Sequence, residues 1–135
     1  MDELVSRVYE CRTLVGASRV WSALTDSEQT PTYLYGLTLV SSWTEQATVH
    51  AAHPLGHALR GQVLCCRPGQ RLSYVLQGVG DDPPVYLTWV ITPDEGGCAV
   101  RLEVDELDAD TDGDTDGDDT WRTVLARLAE MLAPA

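Results

Sequence analysis

Residues 20–43 read VWSALTDSEQTPTYLYGLTLVSSW, and this stretch decides the architecture. Val20, Trp21 and Leu24 fall at i, i+1 and i+4, which gives a single apolar stripe on a helix over about 17–25. Asp26 or Ser27 can cap a second helical turn, and Pro31 limits its length. Gly36 ends the helical part, and Leu37 to Trp43 alternates as a strand. Two short helices joined by an abrupt bend therefore precede a strand, and the first helix must lie on something. Nothing in the stretch is a catalytic motif.

Period-two alternation accounts for most of what surrounds it. Leu4 to Arg12 reads as a first strand, and further strands are expected near Leu37–Trp43, Thr48–His53, Ala58–Cys66, Arg71–Gln77, Val85–Thr92 and Cys98–Asp105. Val85, Leu87, Trp89 and Ile91 share one face, as do Cys98, Val100, Leu102 and Val104, while Arg101, Glu103 and Asp105 should face water. Such alternation suits an antiparallel sheet covered on one side only. A final helix over about 119–133 places Trp121, Val124, Leu125, Leu128 and Leu132 on one face. That face needs a partner.

At 135 residues and 44% hydrophobic content the chain fits one compact domain over residues 1–135. No apolar run approaches the roughly 20 residues needed to span a bilayer, and the N-terminus MDELVSRVYE lacks a basic region followed by an apolar one, so a cytoplasmic protein is expected. All nine basic residues are Arg, with no Lys and no Phe, a bias that a GC-rich genome explains. Without Lys, Schiff-base chemistry through a lysine amine is excluded. A net charge of −12 argues against nucleic acid, whose binding draws on clustered cations. Nine acids and no base lie between Asp105 and Asp119, which leaves −3 for the rest of the chain, so one acidic loop over 105–119 sets the low pI of 4.3.

That loop holds DADTDGDTDGDD over residues 108–119. Asp108, Asp110 and Asp112 take calcium-loop positions one, three and five, Gly113 takes six, Asp114 takes seven and Asp119 takes twelve. Position eight is Thr115 instead of an aliphatic anchor, and a strand precedes the loop where an EF-hand needs a helix. The repeat also reads as a solvated low-complexity linker, and no metal is expected. His50, His53, His57, Cys65 and Cys66 are near in sequence but contain no C-x-x-C pair, and adjacent cysteines on a strand diverge. The cysteines read most simply as reduced thiols.

The order V-W-x-A-L-T-D-x-E from Val20, then Tyr33, Gly36 and S-x-W at Ser41–Trp43, resembles the opening of the SRPBCC or START-like superfamily, and within it the homologues of the heat-shock chaperone ATPase activator. The resemblance continues through G-x-V-L at Gly61, R-L-S-Y at Arg71, T-W-x-I-x-P at Thr88, V-R-L-E-V at Val100 and W-x-x-V-L-x-x-L at Trp121. One place departs: the Lys-Pro-Gly-like turn usual after the Trp of S-x-W is here Thr44, Glu45 and Gln46. The resemblance implies an α+β helix-grip fold, in which a curved antiparallel sheet of about seven strands wraps around the long C-terminal helix, with two short helices after the first strand. It also implies that the first and last strands lie side by side, bringing Cys11 near Cys98.

A curved sheet and a helix that touch along only part of their length leave a cavity, and such cavities hold small apolar ligands. Tyr33, Trp43, Tyr74, Leu76, Leu87, Trp89, Trp121, Leu125 and Leu128 combine apolar bulk with inward phase and are the candidate lining; the alternative is an ordinary core. Trp21 reads as structural. The expected function is non-catalytic binding of a small hydrophobic molecule, a lipid or polyketide-like metabolite, by a monomer or weak homodimer without a cofactor. A cyclase or aromatase would need acid or base groups such as His50, His53 or His57 with Glu45 or Glu103. But His50 and His53 are three apart on a strand, so they point to opposite faces, and His57 sits by a turn. A chaperone cofactor or interaction module is the third reading, and fold alone does not select it.

Overall fold

The computed structural model describes residues 4–34, 36–53, 56, 58–77, 84–107 and 115–132. In chain order the elements are β1 (Leu4–Thr13), α1 (Ala17–Thr25), α2 (Thr30–Tyr33), β2 (Thr38–Val40), β3 (Thr48–Ala52), β4 (Ala58–Arg67), β5 (Arg71–Gln77), β6 (Val85–Asp94), β7 (Gly97–Leu107) and α3 (Thr115–Leu132). The strands form one seven-stranded antiparallel sheet in the order β1-β7-β6-β5-β4-β3-β2. β2 to β7 run as a meander, and β1 closes on β7. This curved sheet, the C-terminal helix and the short helices make the α+β helix-grip fold.

Alternation places the inner face as expected. Leu87, Trp89 and Ile91 of β6 and Cys98, Val100, Leu102 and Val104 of β7 are buried, while Arg101 is exposed and Glu103 half-buried on the outer face. Arg101 Nε pairs there with Glu103 at 3.4 Å, an exposed contact that contributes little. Val20, Ala23 and Leu24 of α1 and Val124, Leu125, Leu128 and Leu132 of α3 complete the core. Each large apolar side chain buried this way contributes about 1.5–3 kcal/mol. Trp21 packs half-buried against the core, the structural role its position implies.

Beyond shifts of one or two residues at several strand ends, three differences from expectation have a local cause. Pro31 does not cut α2 short but stands in its first turn, where a missing N–H is harmless and a fixed φ is already helical. β2 stops at Val40 because the chain turns away: Ser41 Oγ accepts from Trp43 N at 3.0 Å and Trp43 takes φ +55°. α3 starts at Thr115, four residues earlier than 119, which puts acids into its N-terminal turns where the helix dipole favours them. Of the acidic run over 105–119, residues 105–107 end β7 and residues 115–119 begin α3. Asp108, Asp110, Asp112 and Asp114 lie outside the described residues, as does the side chain of Asp119.

Local bonds seat the short helices. Asp26 Oδ1 accepts from Glu28 N and Asp26 Oδ2 from Gln29 Nε2, both at 2.9 Å, so Asp26 organises the bend between α1 and α2. These two bonds, the side-chain one first, hold its carboxyl below the ordinary carboxylate range. Thr30 Oγ1, fully buried, accepts from Leu39 N at 3.0 Å and fastens α2 to β2. Across the sheet, Arg12 Nε donates to Asp94 Oδ2 at 3.1 Å and Arg12 Nη2 to Glu95 O at 3.0 Å, tying β1 to the β6–β7 turn.

Candidate functional site

Four rings meet beneath β4 to β6. Tyr33, on α2, meets Trp89 edge to face, with centroids 6.1 Å apart and planes at 86°. Trp89 Nε1 donates to Tyr74 Oη at 3.1 Å, and Trp43 lies against Tyr74 at 5.7 Å and 60°. The register explains the convergence: Leu72 faces Trp89 and Tyr74 faces Leu87, so the two rings lie diagonally across β5 and β6 on the inner face. Edge-to-face and tilted contacts of this kind are the favoured aromatic geometries.

The ring polar atoms are tied within the protein. Tyr33 Oη donates to Ala23 O at 2.8 Å, which locks α2 onto α1, and Trp43 Nε1 donates to Thr25 O at 2.9 Å. Burial pushes both phenols, Tyr33 and Tyr74, above their ordinary pKa, so both stay protonated across the physiological range. Cys66 Sγ donates to Trp43 O at 2.9 Å, a second tie on the Trp43 segment. Burial also raises the Cys66 thiol, which keeps it in the donating form.

All nine residues expected to line a cavity belong to this inner layer or its margin. Tyr33, Tyr74, Leu76, Leu87, Trp89, Leu125 and Leu128 are buried, and Trp43 and Trp121 are half-buried and packed against the core. The four rings of Tyr33, Trp43, Tyr74 and Trp89 form one connected group, whereas Leu125 stands at a different place. It lines a cleft of about 390 Å³ between β1 and α3, with Val8, Tyr9, Glu10, Cys11, Arg122 and Ala126. The volume falls in the range of small-molecule sites. The sequence held a partial sign of this seam, since Tyr9, Cys11 and Thr13 share the inward phase of β1 and Arg122, Leu125 and Ala126 recur at helical spacing. Its width depends on how α3 seats against β1, which no local pattern reports.

Cys11 and Cys98 are brought together as the resemblance implied. Cys11 faces Val100 and Cys98 faces Thr13, so the two thiols are diagonal neighbours on one face, and both are free. Burial, then the proximity of Cys98, pushes the Cys11 thiol up to about 11. Cys98 Sγ donates to Val15 O at 3.3 Å. Of the histidines, His50 is exposed on β3, His53 is half-buried just beyond its end, and His57 lies outside the described residues. Among the described residues no group of three or more His, Cys, Asp or Glu side chains could hold a metal ion. No helix among them is long and apolar enough to cross a membrane.

Comparison with known proteins places this geometry. A Mesorhizobium loti protein superposes with a TM-score of 0.78 at 20% identity, over 95% of this chain and 96% of its own. The Aha1 dimer from Colwellia psychrerythraea gives 0.75 at 15% identity, over 95% and 96%. DynU16, a putative protein in the dynemicin biosynthetic locus, gives 0.72 at 21% identity, over 94% of this chain and 46% of its own. No curated protein sequence matches significantly. At these identities the likenesses show the fold. The family model described as Activator of Hsp90 ATPase homolog 1-like protein matches residues 15–133, and the chain belongs to that family, within the SRPBCC-type fold.

Proposed function

We propose that this protein binds a small, predominantly apolar molecule between the inner face of the sheet and α3, without transforming it. The observation that carries this reading is the convergence of the Tyr33, Trp43, Tyr74 and Trp89 rings on a core free of buried acids and bases. Among the described residues the buried polar side chains, beside those of Tyr, Trp and Cys, are Thr13, Thr30 and Thr88, and none is an acid or a base in the physiological range. Aromatic surface with one or two hydrogen-bonding atoms recognises a ligand by shape and orients it. An enzyme of the cyclase kind needs convergent acid and base groups at the reacting centre, and His50 points into solvent instead. The likeness to DynU16, from a biosynthetic locus, keeps a lipid or a polyketide-like metabolite as the ligand classes.

An interaction module would present a contiguous apolar patch. Among the described residues the exposed large apolar ones are Val8, Leu14, Val40 and Leu64, with Val8 and Val40 on opposite edge strands of the sheet, so these do not form one. In this reading the protein is a single-domain cytoplasmic binder, monomeric or weakly dimeric, and the dimer of its Colwellia relative supports the second. Native mass spectrometry of the protein purified under mild conditions tests it. A co-purified species released by organic solvent is expected. A bare chain that also gains no thermal stability from a panel of apolar metabolites would remove the reading.

A further inference from the structure

Tyr74 is fully buried, and its oxygen accepts the Trp89 indole N–H at 3.1 Å. A phenol has a proton of its own to give, and among the described residues no acceptor takes it. The neighbouring phenol does not, because Tyr33 is committed to Ala23 O at 2.8 Å and makes no bond with Tyr74. One donor is thus left over at the centre of an aromatic group, where an unused polar hydrogen is costly and calls for an explanation.

Of the four rings one reaches solvent. Tyr33, Tyr74 and Trp89 are all fully buried, whereas Trp43, packed against the Tyr74 ring, is half-buried. Trp43 also has the least settled backbone of the four, at φ +55° in a region that side-chain-bearing residues avoid. Its ring is held by a bond to Thr25 O and by Tyr74 itself. Trp43 lies between β2 and β3, so moving its ring aside breaks no strand pairing.

We propose that the Tyr74 hydroxyl is the polar anchor of the binding site, and that the ligand is a neutral, planar, carbonyl-bearing molecule of about indole size that seats by displacing the Trp43 ring. The inference rests on the binding function proposed above. The ligand is neutral because among the described residues no charged side chain is buried, and an unpaired anion would not leave water for such a place. It carries a carbonyl because the phenol needs an acceptor. A donor-only group such as an aromatic N–H would leave the Tyr74 proton unused.

Two probes that differ by one oxygen test this, 2-acetonaphthone and 2-ethylnaphthalene, bound to the wild-type chain, Tyr74→Phe and Trp43→Ala. For acetonaphthone, Tyr74→Phe is expected to weaken binding about tenfold, the worth of one well-made bond, and to leave ethylnaphthalene unchanged. The infrared carbonyl stretch of bound acetonaphthone should lie at the hydrogen-bonded frequency in wild type and rise in Tyr74→Phe. Trp43→Ala should bind both probes more tightly, because no ring has to be moved aside. A free carbonyl frequency in the wild-type complex overturns the anchor whether or not the variants fold, and leaves the binding function standing. Failure of both probes to bind wild type and Trp43→Ala overturns the anchor, and the binding function falls with it only if the purified chain also carries no co-purified species.

Discussion

Beneath β4 to β6 the grip is sealed, and along β1 it is open. On the sealed side Tyr33, Tyr74 and Trp89 exclude solvent completely and their side chains brace one another. On the open side β1 is an edge strand, α3 lies beside it, and about 390 Å³ of cleft separates them at Leu125. Both sides use apolar residues from alternating strands of one sheet. The difference lies in side-chain size at the meeting point: indoles and phenols fill the space on one side, whereas Ala126 and Cys11 leave it on the other. Ring-sized residues thus decide where the sheet and the helices close, and small ones where they stay apart.

The sharpest way to break this contrast is to open the sealed side. Trp89→Ala removes the ring that touches Tyr33 and the donor that Tyr74 accepts, and should destabilise the protein by about 3–5 kcal/mol in urea unfolding. A loss under about 1 kcal/mol would mean that the rings are not packed as a unit.

A paired substitution compares the two sides directly. Leu128, fully buried, should cost about 4 kcal/mol when changed to Ala, because the surrounding side chains cannot collapse into the gap. Leu125→Ala should cost about 2 kcal/mol, because Leu125 already borders the cleft and water can enter the enlarged seam. Both are read from urea midpoints at constant slope. Equal losses would show that the seam is as tightly packed as the interior.

This asymmetry also explains what was legible in the sequence. Period-two alternation located the strands because every second side chain of β6 and β7 is buried, and the stripe of Val20 and Leu24 located α1 within its observed bounds. The aromatic candidates were legible for the same reason, as large residues with inward phase. Their mutual contacts were not, because the meeting of Tyr33 with Trp89 depends on how α2 docks across a sheet strand far away in sequence. Tyr9, Cys11 and Ala126 were missed at the seam, where being small or flanking, rather than bulky, is what marks a residue. The end of β2 was misjudged because Ser41 to Trp43 continues the alternation while its backbone turns, through a hydroxyl bond that periodicity does not register.

Cys11 reports on the open side without altering its packing. Its thiol pKa is raised from 9.0 to about 11, by burial first and by Cys98 second. Between those values the unfolded chain has released the proton and the folded chain still holds it, so stability falls as pH rises from 9.0 to about 11 and is fully present below 9.0. The loss is moderated by solvent, since the thiol borders the cleft. Urea midpoints at pH 8 and pH 10.5 should show a larger drop for wild type than for Cys11→Ala. Alkylation at pH 8 should proceed about a hundredfold more slowly at Cys11 than at an unhindered thiol, because so little thiolate is present. A fast reaction would place Cys11 in water and widen the seam accordingly.

The smallest effect concerns the segment that carries Trp43 over the sealed side. Ala47 N bonds to Thr44 O at 3.0 Å, and Gln46, third in that turn, takes φ +70°. A positive φ at the third position is what a type II turn requires, and it is the position at which the Lys-Pro-Gly-like turn of similar sequences supplies glycine. Gln46 bears the steric cost of about 1–2 kcal/mol that a side chain meets there, and its exposed side chain returns nothing from packing. Gln46→Gly should relieve that cost, less about 0.5–1 kcal/mol for the extra freedom glycine gives the unfolded chain. The expected net gain is about 0.5–1 kcal/mol, seen as a melting temperature a few degrees higher in calorimetry. Trp43 shares the positive φ but not the prediction, because its ring bonds Thr25 and covers Tyr74, so Trp43→Gly should destabilise. If Gln46→Gly also lowers the melting temperature, the turn is held by something other than its backbone geometry, and the strain assigned to the Trp43 segment must be placed elsewhere.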